Sequence, residues 1–494
     1  MEANNIGYLF LQSAGRRGNK IAIRQGKNVM TYQGLRKAVI CCALHLRTKG
    51  IGQNSLVSID MYNDPTATIA TIFALSLNGA SWLDHRSTDA KSKENLVISK
   101  VLTDKAGKQI PESHLRITRE FFTNRPAEYQ SAKQLQFPGY VNRDDKFYIS
   151  SSSGTTGSPK LIPLSSSDFI ERSMLLKEYQ DSDIPLVLND RFFKTSNIAT
   201  LNAITVLGQG GTYAIVKNYQ SLYAYGINHV VGSVHHLMGL LENVPVPAEP
   251  LIFQVRVVGT ALLPQFLEKL LKYFQTVRVS YGSTEAGPLT TRLLTEYSSD
   301  RSVGKAYEGV SIEIVDENDK VILDGKEGIV RVMNEGQAIQ YLGAAKETET
   351  AFKGGWFYPG DRGYLSDDGQ LYITGRLKDH LNINGVKINA ENIDEIIQSS
   401  KGVKEGLCFS ETDQDGVLSL AVAVHLDETT DVAAVVKDIY ASMNKKKMRV
   451  VEFPTKIYEV DEIPRNSNGK PMRHKLTKVV ENITPRNISA KKTK

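Results

Sequence analysis

The chain has 494 residues, 41% of them hydrophobic and 23% charged, and its formal net charge is +6. A chain of this length is too long to fold around a single hydrophobic core, so two or more domains are expected. The small net charge does not indicate nucleic-acid binding. No segment has the roughly 20 apolar residues of a membrane span, and the N terminus lacks a signal-peptide pattern. The three cysteines, Cys41, Cys42 and Cys408, show neither metal-binding spacing nor a disulfide framework, so a cytoplasmic protein is expected.

Strand and helix patterns alternate over most of residues 1–376, which predicts a parallel α/β sheet. Strands are predicted at 55–60 and 211–216, and helices at 65–78 and 233–243. A further amphipathic helix at 264–274 places Leu267, Leu270 and Leu271 on one face. The expected fold class is therefore α/β, with mixed α/β layers in a large N-terminal domain.

Short strands with turns replace this pattern after Gly328, at 328–332, 363–365 and 370–373, and predict a small β-barrel subdomain. From residue 377 the pattern becomes that of a compact α+β unit. It contains a helix at 392–399, a strand at 418–425 and a helix at 431–443.

Residues 150–160 are mostly Ser, Thr and Gly, and they follow an apolar strand pattern at 147–149. Such residues present backbone N–H and hydroxyl donors with little bulk, which suits phosphate oxygens at the end of a strand. The stretch is not a Walker A loop, because Lys160 follows Pro159 and no Ser or Thr comes after it. The alternative is a flexible Ser-rich linker.

Four more polar clusters follow, and each has a plain alternative. Tyr-Gly-Ser-Thr-Glu at 281–285 could be a turn in which Ser283 or Thr284 caps a helix. Asp361, after Pro-Gly, could be a turn aspartate, and Arg376 could form a surface salt bridge. Lys470 ends a Pro-Arg-Asn-Ser-Asn-Gly-Lys loop that could be a solvated basic loop, since Arg473, His474 and Lys475 lie nearby.

These motifs, in this order and at these separations, resemble those of the adenylate-forming superfamily. That superfamily covers acyl- and aryl-CoA synthetases, the adenylation domains of nonribosomal peptide synthetases, and luciferases. The resemblance runs from about Tyr8 to Leu476. It implies an N-terminal adenylation domain over 1–377 and a small mobile C-terminal α+β domain over 378–494, with the hinge at Lys378.

The resemblance also implies a reaction. ATP and a carboxylic acid give an acyl-adenylate and pyrophosphate, and the acyl group then passes to the pantetheine thiol of CoA or of a carrier protein. The implied cofactors are ATP and Mg²⁺, with Glu285 as the metal ligand. The catalytic residues implied are Lys470, Thr284, Glu285 and Arg376. The nucleotide and thiol positions implied are Ser151, Ser152, Gly154, Thr155, Thr156, Gly157, Lys160, Tyr281, Gly282, Asp361, Ile373, Lys378 and Gly385.

The acyl pocket of the resembling family lies between the segments that correspond to 198–207, 257–261 and 281–284. Residues 192–197 contain no acid, which disfavours an α-amino acid substrate, and Lys194 or Thr195 takes a position where many acyl-CoA synthetases have histidine. An acyl-CoA synthetase is the first hypothesis. A stand-alone enzyme that loads a carrier protein is the alternative, followed by a luciferase-like monooxygenase and an inactive binding module. A monomer or weak dimer is expected.

Overall fold

The structure is a computed structural model, and it describes residues 5–85, 88, 96–105, 111–124, 136–151, 160–176, 185–192, 195–259, 261–323, 325–377, 380–383, 386–412, 418–465 and 471–487.

The helices are numbered here in chain order within those ranges. They are α1 (Ile6–Arg17), α2 (Tyr32–Thr48), α3 (Pro65–Asn78), α4 (Glu120–Thr123), α5 (Ser166–Leu175), α6 (Asn197–Gln209), α7 (Tyr219–Ala224), α8 (Val234–Leu240), α9 (Pro264–Leu271), α10 (Ala345–Ala351), α11 (Ala390–Ser399), α12 (Val432–Lys445) and α13 (Leu476–Val479).

Helix α3 shows how local sequence signals set the helix ends. The Asp64 side chain accepts hydrogen bonds from the Thr66 and Ala67 N–H groups, Pro65 takes the first helical position, and Gly79 ends the helix in the left-handed conformation. The observed helix therefore begins and ends at the residues predicted, 65 and 78. The helix predicted at 264–274 instead ends at Leu271, because Phe274 already begins a strand, and the helix predicted at 233–243 ends at Leu240.

A six-stranded sheet covers one part of the N-terminal region, in the order β6-β5-β3-β4-β7-β8. All of its pairs are parallel except β7–β8, which is antiparallel. The 150–160 stretch therefore connects two antiparallel neighbours, since Ser151 ends β7 and Leu161 begins β8. The strands are β3 (Leu56–Asp60), β4 (Ser81–Asp84), β5 (Lys100–Thr103), β6 (His114–Arg116), β7 (Lys146–Ser151) and β8 (Leu161–Ser165).

A second, larger sheet begins with β2-β1-β10-β9-β11-β12-β13, in which every pair but the edge pair β1–β2 is parallel. Its strand direction reverses between β13 and β14. The strands of this part are β1 (Ile21–Gln25), β2 (Asn28–Thr31), β9 (Val187–Asp190), β10 (Thr212–Ile215), β11 (His229–Gly232), β12 (Ile252–Val258), β13 (Phe274–Ser283) and β14 (Gly287–Leu294).

The short strands predicted after Gly328 are antiparallel, and their hydrogen bonding continues into the large sheet. The order is β14-β15-β21-β20-β17-β19-β18, with β16 paired to β17. They are thus an extension of that sheet rather than a separately hydrogen-bonded unit. The strands are β15 (Gly304–Ala306), β16 (Ser311–Val315), β17 (Gly328–Met333), β18 (Phe352–Lys353), β19 (Trp356–Phe357), β20 (Asp361–Leu365) and β21 (Gln370–Arg376).

The strands beyond residue 377 pair only with one another within the described ranges, as β22–β23 and as a sheet β24-β25-β26-β27. A separate apolar core forms there, with Ile393, Val422 and Val435 among its buried members. The domain boundary at 377/378 itself stays a prediction, because residues 378 and 379 lie outside the described part. The strands are β22 (His380–Ile383), β23 (Val386–Asn389), β24 (Val403–Thr412), β25 (Leu418–Leu426), β26 (Lys456–Glu459) and β27 (Arg486–Asn487).

Two sequence-based exclusions can be compared with this structure. No helix in the described ranges is long and apolar enough to cross a membrane. The three cysteines are buried, and none of them forms a disulfide bond with another.

Candidate active site

The reversal between β13 and β14 forms the centre of the candidate site. Tyr281, Gly282 and Ser283 still belong to β13, and residues 284–286 form the turn to β14. A Cβ on Gly282 would lie 2.3 Å from the Gly287 carbonyl oxygen, so the close approach of the two strands requires glycine there. The interpretation of 281–285 as a helix cap is therefore wrong. Ser283 Oγ instead accepts the Ala286 N–H at 3.0 Å, within the hairpin turn.

Asp361 brings two other predicted residues to this hairpin. The residue is 3% exposed, the Tyr281 hydroxyl donates to its Oδ2, and Arg376 Nε lies 3.0 Å from its Oδ1. Strand pairing fixes the second contact, because Asp361 of β20 stands opposite Arg376 of β21. Arg376 thus pairs with a buried carboxylate 15 positions away in the same β-hairpin rather than with a surface acid. Burial and the Asp361 carboxylate raise the pKa of Tyr281 well above its usual value, so its hydroxyl remains a donor.

Glu285 is held by a residue that the sequence did not single out. The Tyr341 hydroxyl donates to Glu285 Oε1 at 3.0 Å, and Lys160 Nζ lies 4.4 Å from the centre of the Tyr341 ring. A backbone hydrogen bond of 2.8 Å from Leu342 N–H to the Leu161 carbonyl fixes this juxtaposition. Lys160, Tyr341 and Glu285 consequently form one row beside the hairpin. Nothing local marks Tyr341, which contacts Glu285 across 56 positions of sequence.

Arg172 is a second residue that the sequence did not reveal. Its side chain is fully buried on α5, and its guanidinium donates to the carbonyls of Gly336 at 2.7 Å, Thr284 at 3.1 Å and Glu285 at 2.6 Å. Burial lowers the pKa of Arg172 to about 10, against the opposing effect of the Asp168 and Glu285 carboxylates. The group is still cationic at neutral pH.

The remaining predicted residues fall into two groups. Ser151 ends β7, Ile373 is half-buried in β21 and packs against the main core, and Thr284 lies in the hairpin turn. Outside the described residues lie Ser152, Gly154, Thr155, Thr156, Gly157, Lys378, Gly385 and Lys470.

Thr195 is one of the two residues considered for a position in the acyl pocket, and the structure shows its contacts. Thr195 is fully buried, and its hydroxyl donates to Asp84, whose other oxygen accepts the Tyr62 hydroxyl at 2.7 Å. Thr195 is thereby committed to the contact between the six-stranded sheet and the start of α6. Lys194, the other residue considered for this position, lies outside the described part of the chain.

Glu285 has the chemistry expected of a magnesium ligand. Mg²⁺ is commonly held by one or two carboxylates together with substrate phosphate oxygens, rather than by a cage of protein ligands. The described residues contain no group of three or more His, Cys, Asp or Glu side chains that could form such a cage. A half-buried carboxylate with one oxygen fixed by Tyr341 fits an ion shared with a bound triphosphate.

Comparisons with known proteins identify the family of the chain. Residues 10–342 match the family model described as AMP-binding enzyme. The chain is 27% identical over 362 residues to oxalate–CoA ligase of Saccharomyces cerevisiae, a match that covers 70% of this chain and 65% of that protein. It is 25% identical over 500 residues to 2-succinylbenzoate–CoA ligase of Geobacillus sp., covering 94% and 95% of the two chains.

Two further comparisons bear on the acyl acceptor and on the fold. The chain is 24% identical over 501 residues to D-alanine–D-alanyl carrier protein ligase of Lactococcus lactis, covering 92% and 95%. The solved structure of o-succinylbenzoate CoA synthetase from Bacillus subtilis with its acyl-adenylate intermediate superposes with a TM-score of 0.80 at 19% identity, covering 97% and 99%. The expected α/β fold class is thereby confirmed.

Proposed function

This chain belongs to the family of AMP-binding enzymes, and from that premise we propose that it is an AMP-forming acid–thiol ligase. It would activate a carboxylic acid with ATP and transfer the acyl group to a pantetheine thiol. The names of the relatives support this class of reaction, since they include two CoA ligases and a carrier-protein ligase. The family resemblance inferred from the motifs is confirmed by the match over residues 10–342.

The observation that carries the proposal is the meeting of Tyr281, Asp361 and Arg376. Tyr281 and Asp361 are 80 positions apart in sequence, yet they share a hydrogen bond, and Arg376 pairs with the same buried carboxylate. A buried carboxylate can accept hydrogen bonds from both hydroxyls of a ribose, as in dinucleotide-binding folds. The Tyr281 ring offers an apolar face for adenine. We therefore assign these three residues to the nucleoside of ATP.

The first half-reaction joins two anions, so the site must neutralise charge at the α-phosphorus and on the leaving group. A carboxylate oxygen of the acid attacks the α-phosphorus, the bond from that phosphorus to the bridging oxygen breaks, and pyrophosphate leaves with the electron pair. We assign Lys160 and residues 151–157 to the β- and γ-phosphates, Thr284 to the α-phosphate and Lys470 to the reacting carboxylate. Bound Mg²⁺ would add positive charge beside Glu285.

The second half-reaction transfers the acyl group. The thiol, after loss of its proton, attacks the carbonyl carbon of the mixed anhydride, and AMP leaves as the carbon–oxygen bond breaks. We assign the loop around Gly385 to the wall of the thiol channel. CoA is the first acceptor proposed, because two of the relatives are named as CoA ligases. A carrier protein is the second, because the D-alanine ligase matches nearly the whole chain.

ATP–pyrophosphate exchange tests the proposal most directly. Purified protein is assayed with aryl, dicarboxylic, short-chain, medium-chain and β-amino acids, each with Mg²⁺ and labelled pyrophosphate. Exchange that depends on one class of acid supports the adenylating step, and thioester formation with CoA or with a phosphopantetheinylated carrier protein then identifies the acceptor. Absence of exchange with every acid, in protein that binds ATP, contradicts the proposed activity.

The nucleoside assignment has its own test in Asp361→Asn, which keeps the shape of the side chain and removes its charge. Hydrogen bonds to charged groups contribute about 1.5–3 kcal/mol each, so the KM for ATP should rise roughly tenfold to a hundredfold. Asp368→Asn is the matched control, since Asp368 is an exposed carboxylate in the turn between β20 and β21. Equal ATP dependence in the two variants would refute the assignment.

A further inference from the structure

A buried arginine lies directly behind the hairpin turn that carries Thr284 and Glu285. Arg172 has no exposed surface, and its three nitrogens each donate to a backbone carbonyl, those of Gly336, Thr284 and Glu285. No carboxylate of the described residues forms an ion pair with it. A buried cation normally requires compensation by polar partners, which here are the three carbonyl dipoles together with the charges of the Asp168 and Glu285 carboxylates.

The backbone around Arg172 leaves space for its side chain at two glycines. A Cβ on Gly287, whose φ is +74°, would lie 2.8 Å from Arg172 Cδ, and a Cβ on Gly336 would lie 3.0 Å from Arg172 Cγ. Real Cβ atoms do not approach as closely as the first of these contacts. The arginine stem therefore passes between two segments that could not carry larger residues without displacing it.

The backbone carbonyls of the three successive turn residues 284–286 all accept hydrogen bonds from outside the turn. Thr284 O accepts from Arg172, Glu285 O accepts from both Arg172 and the Ala338 N–H at 2.7 Å, and Ala286 O accepts from Asn334 Nδ2 at 3.1 Å. Fixing these carbonyls fixes the peptide planes, and the peptide planes determine where the Thr284 and Glu285 side chains point.

We propose that Arg172 is a positioning residue for adenylation, which aims Thr284 and Glu285 at the α-phosphate and its metal ion by holding their backbone carbonyls. This inference rests on the proposed function. Because it has no exposed surface, Arg172 acts through the turn and not by contact with substrate. Its planar fork is essential, since the ammonium of lysine is a point donor that cannot span three carbonyls in fixed directions.

The experiment compares Arg172→Lys, which keeps the charge, with Arg172→Met, which removes charge and fork together. For Arg172→Lys we expect exchange to slow about tenfold to a hundredfold, as for a small misplacement of catalytic groups. The Mg²⁺ concentration for half-maximal ATP binding, measured by calorimetric titration without acid, should rise in parallel. The KM for the carboxylic acid should change little. Arg172→Met should lower the exchange rate and the Mg²⁺-dependent affinity for ATP further than Arg172→Lys does.

Arg17→Lys is the matched control. Arg17 also donates to two backbone carbonyls, Ser13 O at 3.2 Å and Gln209 O at 3.0 Å, and also passes beside a glycine, Gly210. It ties α1 to the end of α6, away from the hairpin. Arg17→Lys should lower the thermal midpoint of unfolding without changing the Mg²⁺ dependence of ATP binding.

Gly336→Ala keeps the proposal testable if Arg172 variants do not fold. The φ angle of Gly336 permits alanine, because Gly336 is not among the residues with positive φ, and the added Cβ would lie 3.0 Å from both Arg172 Cγ and the Asp168 carbonyl oxygen. It should reproduce the shift in Mg²⁺ dependence at smaller size. Wild-type Mg²⁺ dependence in every folded variant overturns the positioning role. Wild-type protein that binds Mg²⁺ and ATP without exchange, while Arg172→Lys binds them more weakly, would overturn the proposed reaction and leave the positioning role standing.

Discussion

Replacing Tyr341 by Phe removes one hydroxyl and leaves its ring in place. The hydroxyl donates to Glu285 Oε1 at 3.0 Å, whereas the ring lies beneath Lys160 Nζ at 4.4 Å. Burial and the Glu285 carboxylate raise the pKa of Tyr341, so the group is a protonated donor at every pH used in assays. The variant thus deletes one charge-assisted hydrogen bond and preserves the contact between lysine and the aromatic face.

The size of the effect follows from the environment of the two groups. Tyr341 is 6% exposed and Glu285 is half-buried, and a hydrogen bond to a charged group contributes about 1.5–3 kcal/mol. Without it, Glu285 loses a fixed orientation and must be ordered when ATP and its metal ion bind. We expect the affinity for ATP with Mg²⁺ to fall roughly tenfold to a hundredfold, since 1.4 kcal/mol corresponds to a factor of ten.

Calorimetric titration of ATP in the presence of Mg²⁺ measures this change, and ATP–pyrophosphate exchange measures its consequence for turnover. Tyr358→Phe is the matched control, because the Tyr358 hydroxyl donates to a different carboxylate, Asp319 Oδ1, at 2.9 Å. The control should leave ATP affinity unchanged. If Tyr341→Phe binds ATP as tightly as the wild type at every Mg²⁺ concentration, Glu285 is not oriented by Tyr341 for metal binding, and the reasoning fails.

Three other predictions concern the reaction and the pH range of the fold. Lys470→Ala should lose exchange, by about 10²–10³ in rate on analogy with a single oxyanion-hole donor, while retaining ATP binding; equal exchange would refute its role. Gly385→Leu should keep exchange and lose thioester formation, because a side chain would obstruct the thiol channel; unchanged thioester formation would contradict this. Burial, and then the charge of Arg278, lowers the pKa of His229 to about 4. The unfolded chain therefore binds more protons below pH 6.5, so stability present above that pH is lost as the pH falls towards 4. Urea unfolding should show a loss of about 2 kcal/mol between pH 7 and pH 5 that is absent from His229→Gln.

Local signals in the sequence were sufficient for the elements that end at a recognisable cap. The helix at 65–78 has an N-cap aspartate, a first-turn proline and a terminal glycine, and its span was predicted correctly. Where no glycine ends the helix, the predicted C-terminal end was less accurate. The helix that begins at Pro264 stops at Leu271, three residues before its predicted end, because Phe274 pairs with Ile252 of β12 in the parallel sheet. That pairing depends on a strand 22 positions earlier and leaves no mark in the helix sequence.

The residues of the candidate site also divide into those that the sequence could identify and those that it could not. Tyr281, Asp361 and Arg376 could be named because they stand in motifs that resemble those of a known family, although composition alone left a turn or a surface salt bridge open for each. Arg172 and Tyr341 could not be named. Their contacts to the hairpin span 112 and 56 positions, respectively, and an isolated arginine or tyrosine in a polar helix or loop is compatible with many roles. Only the packing of α5 and of residues 334–342 against the hairpin gives them one.

The residues flanking the predicted catalytic lysine provide a last constraint on its role. Arg465 forms a β-bridge with Pro471, and the Met472 N–H donates to the Pro464 carbonyl at 2.7 Å. Burial lowers the pKa of both His235 and His236, and the charge of Arg465 adds a smaller effect in the same direction on each imidazole.

These histidines lie in α8, which follows directly from β11, and β12 alone separates β11 from the strand that carries Tyr281. Arg465 thus acts electrostatically on a helix that follows the carboxyl end of β11, in the same sheet as the strand that carries Tyr281. A lysine bonded to Pro471 can act on the α-phosphate only if the Arg465–Pro471 bridge approaches the carboxyl edge of that sheet. The electrostatic effect of Arg465 on the histidines of α8 is consistent with the assignment of Lys470 to the first half-reaction, which stays a prediction for Lys470→Ala to test.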